Sequence, residues 1–132
     1  MSTVWNAWSL DRVIFLFVGL AFLVIGVQVT ISHYRQNFHH KAMWGPVLSA
    51  PFLCAVSVWL AFYPASWLLI TFMVLMYVAV LEGFVGFYYH FHGVGLRVGG
   101  YTSRNFLVGP PVVLPLLYTA MGVLGLLAYY WR

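Results

Sequence analysis

Histidines are the residues of this chain whose type and position best suit chemistry. All five fall between positions 33 and 92, and Glu82 is the one acidic side chain inside an apolar run. Imidazole ligates transition metals and exchanges protons near neutral pH, and a carboxyl group can also bind a metal or carry a proton. The five are His33, His39, His40, His90 and His92. The set predicts a redox, metal-binding or proton-carrying site.

Hydrolytic chemistry is not indicated by the remaining residues. The single cysteine, Cys54, lies inside an apolar run, and the only acids are Asp11 and Glu82. A catalytic nucleophile needs a base beside it and a third group that orients this base. No such set is visible in the chain. Whether the protein is an enzyme therefore stays open, and Glu82 is interpreted as a candidate proton carrier.

Membrane-spanning helices are the elements that must hold these residues. Of 132 residues, 64% are hydrophobic and 6% are charged, whereas a soluble domain carries about 25% charged residues. The apolar residues form four runs close to the roughly 20 residues that a helix needs to cross a bilayer core. We predict one all-α domain over 1–132, a four-helix transmembrane bundle with spans at about 13–32, 45–63, 67–91 and 106–131.

Residues typical of span ends support these boundaries. Pro64 predicts a tight turn between the second and third spans, and Pro115 predicts a kink in the fourth. Tryptophan and tyrosine favour the membrane–water interface. Those near predicted span ends are Trp5, Trp8, Trp44, Trp67, Tyr129, Tyr130 and Trp131.

The distribution of basic residues predicts the orientation. Four spans place both termini on one side and the longer loops, at about 33–44 and 92–105, on the other. The loops contain four basic residues and the terminal side two, so the positive-inside rule predicts cytoplasmic loops and external termini in a prokaryotic inner membrane. Six scattered Lys and Arg residues and a net charge of +4 do not indicate nucleic acid binding. The predicted surroundings are the lipid bilayer.

Helical spacing selects two histidines for the interior of the bundle. Gly19, Gly26 and His33 recur every seven positions in the first span, and Glu82 and His90 share one arc of the third with several small residues. Small residues let membrane helices approach closely. The stripes therefore predict that His33, Glu82 and His90 face other helices.

The other three histidines are predicted to stay outside the bundle. His39 and His40 lie beside Lys41 in a loop, where a headgroup-zone position is typical. His92 is about 200° around a continuous helix from His90, so this pair is not predicted to chelate. An ionised Glu82 inside a span would be costly, and we expect it to be protonated or paired.

Three hypotheses fit this pattern. In the first, the protein is a membrane subunit of an electron-transfer complex that binds a b-type haem or a quinone. His33 and His90 would then ligate the haem iron, and Arg97 and Arg104 would meet its propionates.

The second hypothesis is a non-haem metal-ion site or pathway formed by His33, His90 and Glu82. The third is an accessory, assembly or lipid-binding subunit, whose Gly-rich loop at 97–111 presents Arg104 to a phosphate or lipid headgroup. A chain of this size without large extramembrane domains is expected to form homo-oligomers or to join other membrane subunits.

Overall fold

The computed structural model describes residues 4–132, and helices are the regular elements of this part of the chain. The long helices are α1 (Leu10–Arg35), α2 (Trp44–Phe62), α3 (Ser66–Arg97) and α5 (Val113–Trp131), with a short α4 (Ser103–Val108) before the last. A 3-10 turn at Lys41–Met43 leads into α2. Four of these helical segments are long and apolar enough to cross a membrane. The predicted all-α architecture with four candidate spans is therefore confirmed.

Two boundaries differ from the sequence prediction. The third helix continues to Arg97 instead of ending near 91, and the last begins at Val113 instead of near 106. Pro110 and Pro111 explain the later start, because each disfavours helical backbone in the residue before it. Residues 103–108 form the separate helix α4 instead.

The kink predicted at Pro115 is wrong. Pro115 is the third residue of α5, and proline is tolerated in the first turn because the hydrogen bond that it lacks would reach back to a residue before the helix begins. The proline that lies in the interior of a helix, beyond its first turn, is Pro51 of α2. Pro51 is not among the residues that the sequence pattern pointed to.

The long helices form a four-membered ring in cross-section. α1 packs along α2 and α5, while α3 packs along α5 and α2, so α1 and α3 occupy diagonal corners. Glycines make two of these contacts possible. A Cβ at Gly26 would lie 2.7 Å from the Ala50 side chain, and one at Gly83 would lie 2.7 Å from the Pro115 carbonyl oxygen. The small-residue faces predicted for His33 and Glu82 are thus helix-packing faces.

The end of the bundle that carries the termini is closed by an arginine. Arg12 Nε donates to the Ala61 carbonyl at 2.7 Å, and Trp5 Nε1 donates to the Leu60 carbonyl at 3.0 Å. Both acceptors belong to the last turn of α2, whose carbonyls have no partner inside the helix. The Arg12 guanidinium also lies 3.5 Å from the centre of the Trp8 ring. We call this group, Trp5, Trp8 and Arg12, the terminal clamp.

Candidate ligand-binding site

A cavity of about 620 Å³ lies at the opposite end of the bundle, where α1 and α3 end and where α2 and α5 begin. Sites for cofactors and small molecules typically span roughly 300–1,000 Å³ and are mostly apolar. Most of the lining surface of this cavity is apolar as well. The polar and titratable residues of the lining are Ser32, His33, Gln36, His39, His40, Glu82, Tyr89, His90, His92, Arg97 and Tyr118. Most of the predicted site residues therefore line one cavity.

His33 is buried in the cavity wall and held by a backbone carbonyl. Its Nδ1 lies 2.7 Å from the Met43 carbonyl oxygen. Because the carbonyl can only accept, Nδ1 must carry the proton, and Nε2 of the neutral ring keeps its lone pair. The 3-10 turn that ends at Met43 presents this carbonyl to α1.

His90 is held in the same way from the diagonal helix. Its Nδ1 lies 2.7 Å from the Pro111 carbonyl oxygen, which again assigns the proton to Nδ1. The carbonyl lies four residues before Pro115, and a proline has no N–H to donate to it. The proline-rich start of α5 therefore leaves an acceptor free for the imidazole.

The two imidazoles lie close together in the wall of the cavity. Their ring centroids are 6.4 Å apart and their planes are inclined at 54°. Two imidazoles that bind one metal from opposite sides, each with its nitrogen about 2 Å from the ion, have centroids roughly 6 Å apart. Within residues 4–132, the only hydrogen bonds of these rings are those of Nδ1. Both Nε2 lone pairs are therefore free.

Glu82 lies at the inner end of the cavity and is incompletely satisfied. Its Oε2 is buried and has no hydrogen-bond partner among the described residues. The Tyr118 hydroxyl interacts with the Glu82 carboxyl and is hydrogen-bonded to Ser49. A Cβ at Gly45 would lie 3.4 Å from Glu82 Oε1. Three helices thus surround this carboxyl group, and one of its oxygens is left without a partner.

Chargeable groups surround the mouth of the cavity. Arg97 Nη1 donates to Gln36 Oε1 at 3.4 Å. The His40 ring lies 4.9 Å from the Tyr89 ring, and His92 stacks on Tyr88 with centroids 5.7 Å apart. His39, His40, His92 and Arg97 are exposed, as expected for the headgroup zone, yet all four line the cavity.

Two predicted roles find no support in this geometry. Within residues 4–132, no group of three or more His, Cys, Asp or Glu side chains is placed to hold a metal ion, so His33, His90 and Glu82 do not form a three-ligand site. Eight residues separate Glu82 from His90, which is about 12 Å along a helix. Arg104 is exposed on α4 and does not line the cavity.

Sequence reasoning missed Tyr118, Ser49 and the carbonyls that orient the imidazoles. Tyr118 could have been found, because it lies three residues after Pro115 and therefore on the same face of the last helix. Ser49 offered no such signal. The Met43 and Pro111 carbonyls depend on how turns meet helices from elsewhere in the chain, which local periodicity does not encode.

No protein-family model, curated protein or solved structure matches this chain. What the cavity binds therefore has to follow from the chemistry of its side chains. Two imidazole lone pairs across a mostly apolar cavity suit a metal centre that arrives with its own planar apolar ligand, or a molecule that donates hydrogen bonds.

Proposed function

We propose that the protein is a membrane subunit of an electron-transfer system and holds a b-type haem between His33 and His90. The observation that carries this proposal is the imidazole pair: both Nδ1 atoms are tied to backbone carbonyls, both Nε2 lone pairs are free, and the ring centroids are 6.4 Å apart. Ligating histidines typically donate the other ring N–H to a carbonyl or carboxylate.

The position of the pair in the fold supports the proposal. His33 and His90 come from diagonal helices, and cofactor sites in helix bundles are built from side chains on facing helices. The cavity volume of about 620 Å³ lies within the range typical of sites for cofactors and small molecules. A tetrapyrrole is apolar over most of its surface, as the lining is.

The mouth of the cavity suits the acidic edge of such a ligand. Arg97 and the exposed histidines lie at the mouth. Among residues 4–132, the only acidic side chains are Glu82, at the inner end of the cavity, and Asp11, near the other end of the bundle. Arginine and carboxylate form charge-assisted hydrogen bonds. Arg97 would therefore hold a propionate, while Arg104 would act at the membrane surface.

The bound haem would supply one-electron redox chemistry, while the protein fixes the imidazoles and sets the surrounding charge. One such centre in a chain of 132 residues needs an electron donor and an acceptor from elsewhere. We therefore propose that the chain works as a homo-oligomer or with other membrane subunits.

The experiment that tests the proposal is an absorption spectrum of protein purified in detergent from cells supplied with a haem precursor. We expect a six-coordinate, low-spin haem spectrum that is lost in His33→Ala and His90→Ala. His39→Ala and His40→Ala are matched controls, because both residues line the cavity mouth but their rings are exposed. Absence of haem from the wild type, or equal loss in all four variants, would overturn the proposal.

The proposed orientation has its own test. A reporter that works only in the cytoplasm should be active when fused after Lys41 or near Thr102, and inactive after Arg132, because the Lys and Arg excess lies on the loop side. The opposite pattern would place the cavity mouth outside the cytoplasm and would leave the haem proposal intact.

A hydroquinone headgroup is the second candidate ligand. The observation that favours it is that, among residues 4–132, the two Nε2 atoms and Glu82 Oε2 have no hydrogen-bond partner. These atoms can accept hydrogen bonds, which the hydroxyls of a hydroquinone can donate. Binding of a fluorescent hydroquinone analogue to haem-free protein, lost in His33→Ala, would support this candidate over haem.

A further inference from the structure

Glu82 is the feature of the cavity that haem ligation leaves unexplained. It lines the same cavity as both imidazoles, and its Oε2 is buried without a hydrogen-bond partner among the described residues. A buried acceptor without a partner costs free energy, and an acidic side chain inside a membrane span adds to this cost. Ordinary helix packing gives no reason to keep such a group.

The surroundings of Glu82 are arranged to tolerate both of its protonation states. The Tyr118 hydroxyl interacts with the carboxyl group and is hydrogen-bonded to Ser49, so donors can orient toward a carboxylate. Gly45 leaves room beside Oε1, where a Cβ would lie 3.4 Å away. Gly45 belongs to the first turn of α2. The positive end of the α2 helix dipole lies there and favours a negative charge on Glu82.

We propose that Glu82 takes up a proton when the haem held by His33 and His90 is reduced and releases it when the haem is oxidised. The inference rests on the proposed function. A one-electron donor, such as a reduced iron–sulfur or haem protein, delivers the electron that converts ferric to ferrous iron. Glu82 then binds a proton from the aqueous phase more strongly and, on doing so, becomes a neutral carboxyl group, so the charge of the added electron is partly compensated.

Coulomb's law gives the size of this coupling. Eight residues place Glu82 about 12 Å along α3 from His90, and the two residues line one cavity. At this separation and an effective dielectric constant of about 20, one unit of charge changes the proton affinity of a carboxylate by roughly tenfold. A ferric centre therefore disfavours protonation of Glu82 relative to a ferrous one.

The route for the proton begins at the mouth of the cavity. His39, His40 and His92 are exposed there, and histidine exchanges protons near neutral pH. These histidines on the loop and α3, with Tyr89 and Arg97 of α3 and Tyr118 of α5, are the titratable or charged groups of the cavity besides Glu82 and the two ligating imidazoles. The test must separate Glu82 from all of them.

Spectroelectrochemical titration of the haem-loaded protein is that test. We expect the wild-type midpoint potential to fall with rising pH by about 59 mV in total, the shift that a tenfold change in proton affinity gives for one electron. The steepest slope should be roughly half of the ~59 mV per pH unit that one full proton per electron would give. Glu82→Gln should flatten the slope and raise the potential at alkaline pH, because a negative charge is lost. Glu82→Asp, which keeps the carboxyl group, should retain a slope. His39→Ala should also retain it, because a group on the proton route changes how fast the proton arrives and not the equilibrium potential.

A second readout uses the wild type alone and does not depend on how Glu82→Gln folds. Redox-induced infrared difference spectra should show a protonated carboxyl band that appears on reduction. A pH-independent potential, an unchanged slope in Glu82→Gln, or no carboxyl band would each overturn the inference while leaving haem ligation standing. Failure to bind haem would overturn the proposed function instead.

Discussion

The two ends of the bundle use their polar side chains in opposite ways. At the terminal clamp, Arg12 and Trp5 donate to the last carbonyls of α2, and Trp8 covers the guanidinium. At the cavity, His33 and His90 use one ring nitrogen each to fix their orientation and keep the other free. The first end satisfies its polar groups, and the second leaves polar atoms available.

This difference separates stabilising from ligand-binding roles. A polar group whose donors and acceptors are all paired lowers the free energy of the folded chain. A polar group that is oriented but incompletely paired still has a donor or acceptor with which to bind a ligand. Substitutions at the clamp should therefore lower stability and leave binding unchanged, and substitutions at the cavity should do the reverse.

The largest expected effect on stability is that of Arg12→Ala. This change removes a charge-assisted hydrogen bond to Ala61 and the contact with the Trp8 ring, so we expect the free energy of unfolding in micelles to fall by about 3 kcal/mol. Arg132→Ala is the matched control, because Arg132 is exposed and bonds within its own helix turn. A fall in haem content per folded molecule in Arg12→Ala would contradict the separation of the two ends.

The next effect in size concerns the acceptor that orients His90. Pro115→Ala supplies an N–H four residues after Pro111, which competes with His90 Nδ1 for the Pro111 carbonyl. We expect haem affinity to fall by roughly 10- to 100-fold, as when other orienting partners of metal ligands are lost, with little change in stability. Equilibrium titration with haem measures it.

Pro46→Ala is the matched control for this variant. Pro46 is likewise the third residue of its helix and lines the same cavity. The new N–H would meet the Ala42 carbonyl, which already accepts from the Trp44 N–H and holds no imidazole. Equal losses of haem affinity in both variants would mean that the proline ring, not the free carbonyl, matters at Pro115.

The proline case also shows how much of the site the sequence could predict. Length and apolar content were enough for the four spans, and the seven-residue spacing of Gly19, Gly26 and His33 was enough for the inward face of α1, where all three are buried. The role of Pro115 was not predictable in this way. A free carbonyl becomes a partner of His90 only when α3 and α5 are packed together.

Glu82 is expected to respond to substitution with the opposite sign from Arg12. Glu82→Met replaces a carboxyl group, whose Oε2 is buried and unpaired among the described residues, by an apolar side chain of similar volume. We therefore expect the haem-free protein to gain about 1 kcal/mol in the free energy of unfolding. Ser57→Ala is the control, because the Ser57 hydroxyl is already bonded to the Leu53 carbonyl. A loss of stability in Glu82→Met would assign the carboxyl a structural role like that of the terminal clamp.

The smallest effect should come from Tyr118→Phe. The hydroxyl of buried Tyr118 connects Ser49 to the Glu82 carboxyl, and its loss should cost about 1 kcal/mol or less, because Ser49 is only half-buried and can rotate to another acceptor. Tyr130→Phe, which breaks an exposed hydrogen bond of 2.9 Å to Tyr77, should cost less still.

In the haem-loaded protein, however, Tyr118→Phe removes a donor to the Glu82 carboxylate. The pH range over which the midpoint potential changes should therefore move to higher values, since the ionised state loses support. An unchanged range would place Tyr118 with the structural residues of the bundle, and Glu82 would then accept its proton without help from α5.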